Sequence, residues 1–138
     1  MYSRILVPVD LDHADKLTAA LDIAAKMAKE GGGSLIYLGV VDAAPTASTR
    51  TDSDRMAEAL AAFSKAQSAK YGIDIVDHVT LRGDLHIHVG KDIITAAKDN
   101  NCDLIVMASH VPGLKDHILA SNAGYVASHA PMSVFVVR

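Results

Sequence analysis

Four times along this chain a short apolar run is followed by a segment whose apolar residues recur every three or four positions, and a fifth apolar run closes it. Strands buried on both faces read as continuous apolar runs, whereas a helix packed on one side shows a stripe of period 3.6. The runs are YSRILVPV (Tyr2 to Val9), SLIYLGVV (Ser34 to Val41), IDIVDHVTLR (Ile73 to Arg82), DLIVMA (Asp103 to Ala108) and MSVFVVR (Met132 to Arg138). The first intervening helix is expected from about His13 to Lys29, with Leu17, Leu21, Ala24 and Ala28 on its buried face and Gly31, Gly32 and Gly33 at its end. A second is expected from about Ser53 to Tyr71, carrying Met56, Leu60, Phe63 and Ala66, after a polar loop from Ala43 to Thr51. A third spans about Leu85 to Asn100, and a fourth opens near Ser121 with Ala123, Val126 and Ala127 inward. Strict alternation of this kind predicts an α/β fold: a single doubly wound domain with a five-stranded parallel sheet, order 3-2-1-4-5, and helices on both faces. At 138 residues the chain suits one domain.

In such sheets ligands sit beyond the carboxyl ends of the strands, where the strand order reverses. Here that crevice falls between the first strand, ending at Val9 and Asp10, and the fourth, ending at Met107 and Ala108. Two local signals point to it. Asp10 is an acceptor for a sugar hydroxyl or, equally, a cap for the helix that follows. Ser121 and Asn122 stand where the fourth helix is expected to begin, and unpaired N–H groups and a partial positive charge at a helix start favour an anion such as phosphate. Ser121 is also a common N-cap residue, a purely structural alternative.

Other function classes are poorly supported. A net charge of −3, no tryptophan, and only two Phe and four Tyr argue against a nucleic-acid surface. No apolar run approaches the ~20 residues of a membrane span, and the first residues do not read as a signal peptide, so a cytoplasmic location is expected. Cys102 is the single cysteine and reads as structural. His86 and His88 lie two residues apart, a spacing that turns them to different sides of a helix and makes joint metal ligation poor. His110 and His117 could approach a bound anion, and Lys91 and Lys115 lie near the expected rim. Neither a P-loop nor a G-x-G-x-x-G turn is present.

The residues resemble the universal stress protein family along essentially the whole chain: ILVPVD (Ile5 to Asp10), GVVD (Gly39 to Asp42), the Gly83–Asp84 turn, and then IVMASH, ASNAGYVASHAP and SVFVVR. Carried over by position, the resemblance implies an adenine-nucleotide site (ATP or AMP, with Mg²⁺ for the triphosphate) built from Pro8, Val9 and Asp10, from Val40, from Met107, Ala108, Ser109 and His110, and from Ala120, Ser121 and Asn122. It also implies a homodimer through the last strand, residues 132–137. Ala108, Val111 and Ala120 stand where the family's nucleotide-binding pattern G-x2-G-x9-G-S/T has glycines, and the second spacing is one residue shorter. A methyl where the backbone needs a glycine costs about 1 to 3 kcal/mol. The implied function is a nucleotide-binding regulatory module of the stress response. Its alternatives are a slow ATPase or self-phosphorylating enzyme of the same fold, with Ser109, Ser121 or His110 as acceptor, and a nucleotide-free dimeric interaction protein.

Overall fold

The computed structural model describes residues 1–42, 47–82, 89–109 and 118–138. In chain order these form β1 (Arg4–Pro8), a 3-10 helix (Leu11–Leu17), α1 (Thr18–Gly31), β2 (Ser34–Asp42), α2 (Ala47–Tyr71), β3 (Ile75–Arg82), α3 (Val89–Asp99), β4 (Leu104–Ala108), α4 (Ile118–His129) and β5 (Ser133–Val137). The strands make one five-stranded parallel sheet in the expected order, β3-β2-β1-β4-β5.

Because successive strand residues face opposite sides, the sheet divides its apolar side chains between two cores. Ile5, Val7, Val9, Leu35, Tyr37, Leu104, Val106 and Ala108 face α1 and α2, where they meet Leu21, Ala24, Ala28 and Leu60. Leu6, Ile36, Leu38, Ile105 and Met107 face α3 and α4, against Val89, Ile93, Ala97, Ala123 and Val126. Both faces of β1 and β4 are thus covered, which is why their sequences are unbroken apolar runs.

Helix ends follow local chemistry. Gly32 adopts a left-handed conformation (φ 63°) after α1, its N–H reaching the Lys29 carbonyl while the Gly33 N–H reaches Ala28 at 2.8 Å. This two-bond closure satisfies the last carbonyls of the helix. Asn101 (φ 55°) does the same for α3, with Asn101 donating to Lys98 and Cys102 to Ala97. Asparagine is among the few side chains that tolerate this backbone. Cys102 is a buried free thiol, and burial pushes its pKa up to about 11, which suits its structural reading. Next to it the Asp103 carboxylate receives the Ser3 and Arg4 N–H groups and the Ser3 hydroxyl, pinning the start of β1 to the start of β4. Burial alone would raise its pKa, but these donors hold it below the usual carboxylate value.

Several expectations are corrected. The first helix does not start as a regular α-helix at His13: residues Leu11–Leu17 form a 3-10 helix kinked at His13. Helix α2 begins at Ala47, so the expected loop to Thr51 is shorter. Among its described side chains Leu60 and Ser64 are buried and Met56, Phe63 and Gln67 half-buried, whereas Ala66 is exposed. A turn of 100° per residue puts 64 and 67 in line with 60 and carries 66 away. Ala127 of α4 is exposed, while Ala123 and Val126 are buried. Helix α4 runs from Ile118, so Ser121 and Asn122 stand inside it and not at its cap.

Candidate functional site

The pairing of β1 with its two neighbours is unequal. Against β2 it continues to Pro8↔Leu38, but against β4 it ends at Leu6↔Ile105, although β4 itself continues to Ala108. Proline supplies the local reason. Val9 donates its N–H to Leu38 of β2 at 2.8 Å. Alternation along a strand therefore directs the preceding residue's donor towards β4, where Pro8 has none to give. The two central strands part at the point where the strand order reverses, which is where a doubly wound sheet opens its ligand crevice.

The sequence-predicted residues divide sharply at this opening. The side chains of Val9, Met107 and Ala108 are buried in the two cores, so only their backbones can meet a ligand. Pro8 is buried too. Ser109, half-buried, follows β4 and gives its N–H to the Val137 carbonyl at 2.9 Å, so that donor closes the β4–β5 edge. Val40 pairs with Thr80 at the same end of the sheet. Ala120 and Ser121 lie in α4, close to Ile118 at its start. His110, His117 and Lys115 lie outside the described residues, as do His86, His88 and the Gly83–Asp84 turn. Lys91 is exposed on α3.

Asp10, two residues beyond the end of β1, is 23% exposed. It caps the 3-10 helix: its Oδ1 accepts the Asp12 N–H at 3.1 Å, and its carbonyl accepts the His13 N–H at 3.1 Å. The His13 Nδ1 stands 3.0 Å from Asp10 Oδ2. The capping reading of Asp10 therefore holds, and the cap fixes the direction of its carboxylate. Sequence reasoning missed His13, and the signal available was only its position three residues after an acidic cap.

Asn122 also has a different place from the one expected. Its Oδ1 accepts the N–H of Gly90 in the first turn of α3 at 3.2 Å, which ties α4 to α3. A side chain on Gly90 would collide with the Tyr125 ring, its Cβ lying 2.5 Å from that ring. Tyr125 in turn stacks on His129 with ring centroids 4.1 Å apart. Among the described residues no group of three or more His, Cys, Asp or Glu could hold a metal, and no helix is long and apolar enough to cross a membrane.

A parallel sheet that reverses at β1, opens between β1 and β4, and sets a capped carboxylate at the opening defines a doubly wound α/β module with its ligand crevice at the reversal point. More particularly, the chain belongs to the universal stress protein family, whose pattern matches residues 1–138. It is 27% identical over 147 residues to universal stress protein G of Escherichia coli O157:H7, covering 100% of both chains. Among solved structures it is similar to universal stress protein UspA from Lactobacillus plantarum (TM-score 0.74, 24% identity, 99% of this chain and 98% of that one). It is similar also to a universal stress protein in complex with cAMP (TM-score 0.73, 17% identity, 99% and 97% covered). A third is the universal stress protein from Archaeoglobus fulgidus in complex with dAMP (TM-score 0.68, 18% identity, 99% and 98% covered).

Proposed function

We propose that this protein is an adenine-nucleotide-binding regulatory module, taking AMP or ATP in the crevice between β1 and β4. The observation that carries the reading is the parting of those strands after Leu6↔Ile105, with the Asp10 carboxylate fixed at the mouth. In this reading Asp10 accepts a ribose hydroxyl, the backbones of Val9, Met107 and Ala108 line the base side, and the first turn of α4 faces the phosphates. Mg²⁺ accompanies the triphosphate. The complexes of similar proteins with cAMP and dAMP support the ligand class.

Calorimetric titration of AMP, and of ATP with Mg²⁺, into nucleotide-free protein tests it. Binding is expected, and Asp10→Asn is expected to weaken it by about tenfold, the worth of one hydrogen bond to a charged group. Asparagine keeps an acceptor for the Asp12 N–H, so the cap persists and the loss reports on the ligand. No heat with either nucleotide up to millimolar concentration overturns the reading.

Within the same reading the module works as a homodimer joined through β5. That strand is at the sheet edge, and Phe135 on it is 40% exposed. An apolar edge with unpaired backbone groups is a template for a second copy across a two-fold axis. Sedimentation velocity is expected to give a dimer for the wild type and a monomer for Phe135→Glu. A monomeric wild type removes the dimer from the proposal.

A further inference from the structure

We infer that His13 is a positioning residue of the crevice: by holding Oδ2 of the Asp10 carboxylate while the helix cap holds Oδ1, it sets how strongly the site distinguishes sugars that carry ribose hydroxyls from sugars that lack them. For its ligand the inference rests on the nucleotide reading above; for its residue it rests on the geometry of the first turn.

The two oxygens of Asp10 are held by different donors from the same turn. Oδ1 takes the Asp12 N–H and Oδ2 lies 3.0 Å from His13 Nδ1. A carboxylate is an acceptor only, so the contact requires the proton of the imidazole to be on Nδ1. Held at one oxygen, a carboxylate can still swing about its own axis; held at both, its plane and direction are fixed. His13, with φ −128° and ψ 28°, is the kink that joins two short 3-10 turns between Leu11 and Leu17. The kink coincides with the contact of the ring with Asp10. The pair is neither deeply buried nor fully exposed, at 37% for His13 and 23% for Asp10, so it stands at the surface a ligand would meet. Recognition of a sugar diol by a carboxylate depends on direction, and preorganisation of the acceptor supplies it.

The test uses two ligands and two variants: AMP and 2′,3′-dideoxyadenosine monophosphate, titrated into wild type, His13→Ala and His13→Asn, with ring-nitrogen NMR of the wild type. His13→Ala is expected to weaken AMP by about tenfold and the dideoxy analogue by less than about twofold. His13→Asn, whose side-chain N–H is one bond from Cγ as Nδ1 is, is expected to restore most of the AMP affinity. The His13 ring is expected to carry its proton on Nδ1. Equal losses for both ligands, or no loss for AMP, overturn the positioning role, and an Nδ1 without a proton overturns the pairing itself. A wild type that binds neither ligand overturns the nucleotide reading and the sugar role with it, an outcome distinct from failure of the pairing, which the ring nitrogens report without any ligand.

Discussion

Gly33→Ala is expected to lose about 3 kcal/mol of stability, a fall of roughly 10 °C in the midpoint of thermal unfolding. A Cβ at Gly33 would lie 2.5 Å from the Ser3 carbonyl oxygen, 2.8 Å from its carbon and 2.9 Å from its Cα, all of them backbone atoms. Ser3 cannot withdraw cheaply. Its carbonyl accepts the Ser34 N–H at 3.0 Å, opening the β1–β2 ladder, and its N–H and hydroxyl are held by Asp103. Relief of the clash therefore loosens three strands where they start. Gly32→Ala is the control. A Cβ there meets nothing within 4 Å, and the only penalty is the left-handed backbone at φ 63°, about 1 kcal/mol. Thermal melts of the two variants, read by circular dichroism, should rank Gly33→Ala well below Gly32→Ala; equal losses would mean that backbone freedom, and not the approach of α1 to β1, explains the glycine run.

How far such details can be read from the sequence depends on how local their causes are. The sheet was legible because β1 beyond Arg4 and all of β4 are buried on both faces and so have no polar positions to interrupt them. The reversal point, and Asp10 at it, followed from strand order alone. The stripe on α2 was less legible because Ser64 and Gln67 occupy its inner face, and the side-chain oxygens of both, like the Tyr37 hydroxyl, are buried with no hydrogen-bond partner among the described residues. Burial pushes the Tyr37 hydroxyl pKa upward, with nearby Tyr71 and Asp22 adding to the shift. A reading that seeks apolar periodicity skips such residues and takes the neighbouring Ala66 instead. His13 escaped for another reason: a regular α-helix was expected from that residue onward, whereas its contact with Asp10 depends on the kinked 3-10 turn. Asn122 bonds to Gly90, 32 residues away, and no local pattern carries that pairing.

Met107→Ala separates the core from the crevice. The Met107 side chain is fully buried and packs with Leu6, Leu38, Val89 and Ile93, beneath α3 and α4, although its position at the end of β4 placed it among the predicted ligand residues. Truncation removes three heavy atoms from a packed site and is expected to cost about 3 kcal/mol in denaturant unfolding, while Met107→Leu, which nearly conserves volume, should cost less than about 1.5 kcal/mol. A domain of ordinary stability, about 5 to 15 kcal/mol, remains folded after the larger loss, so ligand affinity can be measured on the same variant. Because only the backbone of Met107 can reach the opening, AMP affinity is expected to stay within about twofold of wild type, the reverse of Asp10→Asn, which should weaken binding with little effect on unfolding. A Met107→Ala protein that stays stable but loses AMP would put the side chain in the crevice, and with it would require the end of β4 to turn over from the position it holds against α3.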